Sequence, residues 1–338
     1  MAALPELDEI ERLGDCGDAR LQLRVQAQVD CAGQRLPIHV LTLGSRSPEA
    51  PAVGLFGGVH GLERIGAEVV IAFLRALVQR LRWDGTLAHL LERLRIVAMP
   101  LVNPGGLWQR TRANPRGVDL MRNAPVEAEH PVPWGLGGQR LSDALPWYRG
   151  AAGAPMELES RTLCEVVEQE LLPHPFVITL DCHSGFGLRD RLWFPHAHTP
   201  RPIAHLPEML ALSDLLDETQ LHHRYLVEPQ SRQYLAHGDL WDHLYLRSLR
   251  AGRGVLLPLT LEMGSWIWVK KNPRQLFTRL GLFNPLIEHR QQRVLRRHLS
   301  LLDFVLRAAL SHARWRPRED TREQRRRRAL ARWYGGGG

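Results

Sequence analysis

The sequence predicts an α/β fold whose sheet is largely parallel. A compact apolar run at 52–56 leads through a glycine turn into the stretch 64–82, where apolar residues recur at four-residue intervals as in a buried helix. The next run, 95–100, is again apolar and ends in a proline, which is typical of a strand. The order strand, helix, strand with a short first turn indicates a crossover unit of a parallel sheet, in which sites form at the carboxyl ends of strands.

The remaining elements are predicted from similar apolar patterns. Further strands are expected at 36–43, 176–180, 191–195 and 254–261. Further helices are expected at 155–172 and 283–309. Residues 124–156 are rich in Pro and Gly without periodicity, so they predict a long loop of the kind that often forms a functional surface.

A single domain is predicted at 1–312, because no internal repeat or linker divides this part of the chain. Residues 313–338 are an Arg-rich tail that ends in glycines and is expected to be disordered or partly helical. From residue 311 onward nine arginines stand against three acids, so this segment carries most of the net charge of +8. Since lysine is almost absent elsewhere, we interpret the charge as a compositional bias, and nucleic acid is not the expected partner.

The composition is that of an ordinary globular protein, with 44% hydrophobic residues in a chain of 338. The first twelve residues include four acids and lack the basic and apolar pattern of a signal peptide. No window approaches 18 uninterrupted apolar residues, so no membrane contact is expected. The four cysteines lack the Cys-x-x-Cys spacing and are expected to be free thiols in the cytoplasm.

Metal-binding residue types follow three of the predicted strands. His60 and Glu63 lie in the first glycine turn, His183 follows a later strand, and Glu262 ends another. Two histidines and one carboxylate are the protein ligands of several catalytic zinc sites, with the fourth position left to water. A further carboxylate that is not a ligand can act as a general base toward that water. The strand ends therefore predict a hydrolytic metal centre.

Five motifs occur together in this chain: His60-x-x-Glu63, Asn103-Pro104-Gly105-Gly106, Arg112-x-Asn114-x-x-Gly117-Val118-Asp119-Leu120-Met121-Arg122-Asn123, His183-Ser184-Gly185 and Leu261-Glu262. In this combination the chain resembles the M14 family of zinc carboxypeptidases, over roughly residues 50–310. The resemblance implies a single-domain α/β fold with a mixed, mostly parallel twisted sheet between helices. It also implies a metalloprotease that hydrolyses a peptide or peptide-like amide bond near a substrate carboxylate.

The resemblance assigns the metal side of the site residue by residue. It implies that His60, Glu63 and His183 are the ligands of one zinc ion per chain. Glu262 would be the general base and acid. Asp119 would accept a hydrogen bond from the second ring nitrogen of His60, and Asp181 would act similarly nearby.

The resemblance also assigns the substrate side. Arg112 would polarise the scissile carbonyl and stabilise the oxyanion. Arg122 would clamp the substrate carboxylate, for which a guanidinium suits two-point binding. Tyr234 would close over the substrate.

Two positions bear on substrate recognition. Met121 stands where the family has an asparagine that helps to hold the carboxylate, and a methionine cannot donate that hydrogen bond. Trp241 stands where the family shapes the side-chain pocket, so its indole is expected to narrow or remodel that pocket. No acid occupies this place, which gives no basis for a preference for basic C-terminal residues.

Three alternatives to a carboxypeptidase are left open. One is a deacylase of N-acyl amino acids, of the succinylglutamate desuccinylase and aspartoacylase type, whose metal site is similar. Another is a binding protein that keeps the fold without catalysis. The last is a nucleic-acid role for the Arg-rich tail. The sequence does not specify the natural substrate or the oligomeric state.

Overall fold

The computed structural model describes residues 4–335, which form one mixed sheet with helices on both faces. The strands are β1 Leu21–Cys31, β2 Gln34–Gly44, β3 Ala52–Gly57, β4 Arg95–Met99, β5 Phe176–Ser184, β6 Arg191–Phe194, β7 Leu226–Pro229 and β8 Val255–Met263. The helices are α1 Pro5–Gly14, α2 Arg64–Arg80, α3 Gly85–Leu91, α4 Pro104–Gln109, α5 Leu158–Glu170, α6 Leu206–Thr219, α7 Leu240–Ala251, α8 Trp266–Lys271, α9 Glu288–Leu310, α10 His312–Trp315 and α11 Glu319–Trp333. Short 3₁₀ turns lie at Leu120–Arg122, Gln230–Arg232 and Pro273–Phe277.

The sheet has the order β1-β2-β4-β3-β5-β8-β6-β7. Its central strands β4, β3, β5 and β8 run parallel, and β6 and β7 form a further parallel pair. The pairs β1–β2, β2–β4 and β6–β8 are antiparallel. The predicted α/β fold with a mixed, mostly parallel sheet is therefore confirmed.

Side chains of the central strands alternate between two apolar layers. In β3, Val53 and Leu55 enter the core that α2 and α9 cover, whereas Ala52 and Phe56 enter the core on the opposite face, under α5 and α7. Successive residues of a strand point to opposite faces, so a strand covered on both sides is apolar throughout. Because both faces of the central strands are covered by apolar layers, the charged residues and histidines of these strands are left near the strand ends.

The Arg-rich segment is folded against the domain over much of its length. Helix α11 packs on α6, with Ala329 and Trp333 buried. Its arginines pair with acids of α6, among them Arg322 with Glu208 at 3.1 Å. The tail was expected to be disordered or partly helical. In the structure it contains a helix that is docked on the domain, because two apolar side chains and these ion pairs anchor that helix. The final glycines, 336–338, lie outside the described residues.

Within residues 4–335, no helix has the length and apolar character needed to span a membrane.

Candidate active site

Three neighbouring strands end at the same edge of the sheet and bring the predicted metal residues together. His60 follows β3, His183 lies in β5, and Glu262 lies in β8 directly opposite His183 in the strand register. Between His60 and Glu63, Gly61 lets the turn approach α4, since a Cβ there would lie 2.0 Å from the Gly106 carbonyl carbon. A glycine at this point is therefore required by contact with the neighbouring helix.

His60, Glu63 and His183 form a compact cluster that is almost fully buried. The Nδ1 atom of His60 lies 2.9 Å from Glu63 Oε1, and Nδ1 of His183 lies 3.1 Å from Glu63 Oε2. The two Nδ1 atoms are 3.2 Å apart. The Ser184 amide also donates to Glu63 Oε2, at 2.9 Å, which fixes the carboxylate. Each residue therefore presents one donor atom to a common point.

The second nitrogen of each imidazole is held by an aspartate. Nε2 of His60 lies 3.1 Å from Asp119 Oδ1, and Nε2 of His183 lies 2.8 Å from Asp181 Oδ2. A carboxylate at Nε2 favours the tautomer whose Nδ1 carries a lone pair toward the cluster. Both histidines are thus oriented as metal ligands would be.

Trp241 lies behind the cluster and does not line the cavity that contains His60 and Glu63, which corrects the expectation that its indole narrows or remodels a side-chain pocket. Its side chain is buried in the first turn of α7, and its Nε1 donates to Asp181 Oδ2 at 2.9 Å. It also packs edge-to-face on Phe56, with ring centroids 5.0 Å apart. Trp241 therefore supports the aspartate that orients His183.

The donor set of the cluster fits a zinc ion. Two imidazole nitrogens and a carboxylate oxygen all lie within 4.8 Å of one another, and zinc takes such donors at about 2.0–2.2 Å. Although burial opposes it, the charges of Asp181 and Glu63 raise the pKa of His183 well above its usual value. Such a shift reports a strongly negative environment, which attracts a cation.

Glu262 faces the same cavity as the cluster. Its Oε1 accepts a hydrogen bond from the Phe186 amide at 3.0 Å, and the side chain is buried. Burial, together with the nearby Glu63 carboxylate, raises the pKa of Glu262 to about 8. A carboxyl group whose pKa lies near neutrality can both accept and release a proton.

Arg112 borders the metal side of the cavity. Its Nε donates to Asp119 Oδ2 at 2.8 Å, and its Nη1 donates to Glu63 Oε1 at 3.2 Å. The guanidinium is a quarter exposed, whereas both of its carboxylate partners are fully buried. Arg112 is therefore held by the metal cluster while part of it remains accessible to a ligand.

Arg122 and Tyr234 lie together on the opposite side. Arg122 is buried and donates to the main-chain carbonyls of Leu136 and Met121, at 3.2 and 3.1 Å. Its Nη2 donates to the Tyr234 hydroxyl at 3.4 Å. Burial raises the pKa of Tyr234 above its usual value, so the phenol stays neutral beside the guanidinium.

These residues share a cavity of about 340 Å³. Much of its wall is apolar or aromatic and was not predicted from the sequence: Leu136, Trp147, Phe186, Trp193, Trp266, Leu282 and Phe283. Met121 also lines the cavity, next to Arg122. Asp239 is a further unpredicted lining residue, and burial together with Asp242 raises its pKa to about 7. Phe186 directly follows the His183-Ser184-Gly185 motif, and this adjacency was the available signal for that part of the wall.

The sequence profile of the Peptidase M14 family, described as zinc carboxypeptidase, matches residues 33–246, more than half of the chain. The chain belongs to the zinc carboxypeptidase family. It is 28% identical to carboxypeptidase E of Caenorhabditis elegans over 192 residues, which cover 52% of this chain and 39% of that protein. It is 25% identical to carboxypeptidase A1 of Rattus norvegicus over 233 residues, which cover 64% of this chain and 52% of that protein. These matches span about half or less of the relatives' own length.

Two solved structures illustrate the shared fold. Carboxypeptidase A from Helicoverpa armigera superposes with a TM-score of 0.67 at 16% identity, covering 93% of this chain and 74% of that one. Bovine thrombin-activatable fibrinolysis inhibitor, in complex with tick carboxypeptidase inhibitor, gives a TM-score of 0.65 at 18% identity, with 92% and 98% covered. At these identities the likeness shows the fold alone.

Proposed function

We propose that this family member is a zinc metallocarboxypeptidase that removes the C-terminal residue from a peptide or peptide-like substrate. The observation that carries the proposal is the convergence of His60 Nδ1, His183 Nδ1 and the Glu63 carboxylate, with Glu262 on the same cavity wall. His60, Glu63 and His183 would hold the ion. When bound, zinc supplies Lewis acidity, which polarises an amide carbonyl and lowers the pKa of water.

Glu262 would move the proton. Water adds to the amide carbon while its proton passes to the Glu262 carboxylate. The same proton then passes to the amide nitrogen as the carbon–nitrogen bond breaks, which leaves a shortened peptide acid and a free amino acid. Glu262 lines the same cavity as the cluster and its Oε1 is held by the Phe186 amide, so the carboxylate is positioned for both halves of this transfer.

Arg112 would stabilise the negative charge that develops on the carbonyl oxygen. Its guanidinium is fixed by Asp119 and Glu63, so little reorganisation is needed when the charge appears. Its partial exposure leaves donor groups available on the cavity side. This arrangement supports a role in the transition state in addition to any role in substrate binding.

Arg122 would bind the terminal carboxylate, and Tyr234 would cover it. The surrounding wall is aromatic, which favours an apolar or aromatic C-terminal side chain over a charged one. Because Met121 donates no hydrogen bond from its side chain, the carboxylate is held with fewer donors than in the usual family pattern. We therefore expect a high KM for ordinary peptides.

A substrate panel tests this proposal. The full chain, loaded with zinc, is incubated with peptides ending in Phe, Leu, Lys or Glu, each as the free acid and as the amide, and with N-acyl amino acids. We expect mass spectrometry to show release of Phe and Leu from the free acids, with little release from the amides. A chelator should abolish the release and added zinc should restore it.

Two variants make the panel specific to this site. His183→Asn should abolish release, whereas His222→Asn, at an exposed histidine away from the cavity, should leave it unchanged. Hydrolysis of N-acyl amino acids without release from any peptide would point to the deacylase instead. Absence of any hydrolysis by folded, zinc-loaded protein would leave only the binding protein.

A further inference from the structure

A second cluster of metal-binding residue types lies outside the active-site cavity. His196 and His198 are in the segment just after β6, and Asp242 is in the first turn of α7. None of the three lines the cavity that holds His60 and Glu63. The segment and the helix are far apart in sequence, so the cluster is formed by the fold.

The three side chains are close together and buried. Each offers a nitrogen or oxygen atom that lies within 4.8 Å of the other two. The rings of His196 and His198 meet edge to face with centroids 4.8 Å apart. Nδ1 of His198 lies only 2.5 Å from Asp242 Oδ2, and the Ala197 and His198 amides also donate to this carboxylate. The carboxylate is therefore fixed with its charge toward the two imidazoles.

A hydrogen-bonded His198–Asp242 pair accounts for only part of this arrangement. His196 is 93% buried, yet its Nδ1 has no hydrogen-bond partner among the described residues. The hydroxyl of Tyr334, at the end of α11, is also buried without such a partner. Burial raises the pKa of Tyr334, and the charge of Asp242 contributes to the shift, so this phenol lies in the electrostatic reach of the cluster. Unpaired buried polar atoms are costly and call for an unseen partner.

We propose that His196, His198 and Asp242 bind a second divalent transition-metal ion, of which zinc is the best match. Zinc accepts two imidazoles and a carboxylate at about 2.0–2.2 Å, which sets neighbouring donor atoms roughly 3.3 Å apart. To reach this spacing, His198 and Asp242 would separate by about 1 Å from their present contact. The donor atom of His196 already lies within 4.8 Å of both. The buried Tyr334 hydroxyl, which has no hydrogen-bond partner among the described residues, is a candidate to complete the site from the protein.

The position of the ion gives it a structural role. The main-chain carbonyls of His196 and Ala197 accept hydrogen bonds from Ser231 and Ala236, at 3.1 and 2.9 Å. The segment between these two residues carries Tyr234, which faces the substrate cavity. An ion at the cluster would therefore fix the backbone on which the Tyr234 segment rests, without touching the substrate.

Metal stoichiometry tests the proposal. The full chain is stripped with a chelator, equilibrated with zinc chloride, dialysed, and analysed by elemental mass spectrometry. Wild type should hold two equivalents of zinc, and the double variant His60→Ala/His183→Ala should still hold one. His196→Phe, which keeps a buried ring of similar size, should lower the wild-type value from two to one.

His289→Ala is the matched control, because His289 is an exposed histidine outside both clusters, and it should retain two equivalents. The proposal is overturned if wild type holds one equivalent, if the double variant holds none, or if His289→Ala loses the second equivalent. Retention of two equivalents by His196→Phe would overturn it equally. Circular dichroism establishes whether His196→Phe is folded; if it is not, the first two measurements decide.

Discussion

The cavity has two sides that are built in different ways. The proposed metal side contains His60, Glu63 and His183, and the proposed substrate side contains Arg122 and Tyr234. On the metal side, both histidines and Glu63 are each held by a further protein group, namely Asp119, Asp181 and the Ser184 amide. Around Arg122, the guanidinium donates to two main-chain carbonyls and to the Tyr234 hydroxyl, and much of the remaining wall is apolar or aromatic. The first side is organised by charge pairs before any ligand arrives. The second relies on one guanidinium and on shape.

This difference separates chemistry from recognition. Variants on the metal side should change turnover or metal content for every substrate alike. Variants on the substrate side should change the response to the terminal carboxylate and leave the metal in place. If the two sides are independent, each variant changes one of these properties and leaves the other as in wild type.

Replacement of Glu262, the proposed general base, should have the largest effect. Glu262→Gln keeps the size and the hydrogen bond from Phe186 but cannot accept a proton, so kcat should fall by up to about 10⁴-fold for all substrates. Steady-state kinetics on a peptide with a C-terminal Phe measures this. Zinc content and thermal unfolding should match wild type, and unchanged turnover in a folded variant would exclude Glu262 as the base.

Replacement of Arg122, the proposed clamp for the substrate carboxylate, should have the next largest effect. Arg122→Gln removes charge-assisted hydrogen bonds to the substrate, and kcat/KM for free-acid peptides should fall by about 10²-fold. Arg122→Lys keeps the charge without the planar fork, so a smaller loss is expected. The corresponding peptide amides should respond little to either change. An equal loss on acids and amides would mean that Arg122 supports the cavity without recognising the carboxylate.

The sequence predicted the metal side better than the substrate side, for a physical reason. His60 and Glu63 are three residues apart on one turn, and the strand ends of a parallel sheet meet at one edge. The local pattern and the fold class are therefore enough to predict that these side chains lie together. Trp241 was misplaced because the direction of a side chain in the first turn of α7 depends on how that helix docks. Its indole turns toward β5 and Asp181 instead of the pocket.

The apolar wall shows the same limit. Phe186 and Trp266 come from a loop and a short helix that are 80 residues apart, and their rings lie 5.7 Å from each other. Contacts of this kind depend on the antiparallel pairing of β6 with β8. These strands are far apart in the chain, so the pairing leaves no local pattern in the sequence. Strand β1 was missed for a related reason, since it lies at the sheet edge and many of its side chains are exposed.

Restoring the family's asparagine should improve recognition. Met121→Asn adds a donor near Arg122, and one hydrogen bond to a charged group is worth about 1.5–3 kcal/mol, so kcat/KM for free-acid peptides should rise by roughly 10- to 100-fold. Met121→Leu is the matched control, because it keeps the volume and adds no donor, and it should behave like wild type. If kcat/KM rises in both variants, or in neither, the missing side-chain donor at Met121 does not limit binding of the carboxylate.

The pH response of Tyr234 should be the smallest effect and tests how the substrate side is held. Because its pKa is raised above the usual value of 10, the hydroxyl keeps its proton, and its neutral contact with Arg122, from pH 7 to pH 9. Tyr234→Phe removes one neutral hydrogen bond, so KM should rise by about 2- to 10-fold, and by the same factor at both pH values. If instead the phenol ionised in this range, its charge would compete with the substrate carboxylate for Arg122. The KM of wild type would then rise with pH, whereas the KM of Tyr234→Phe would not. Binding of the substrate carboxylate would in that case depend on a titrating group.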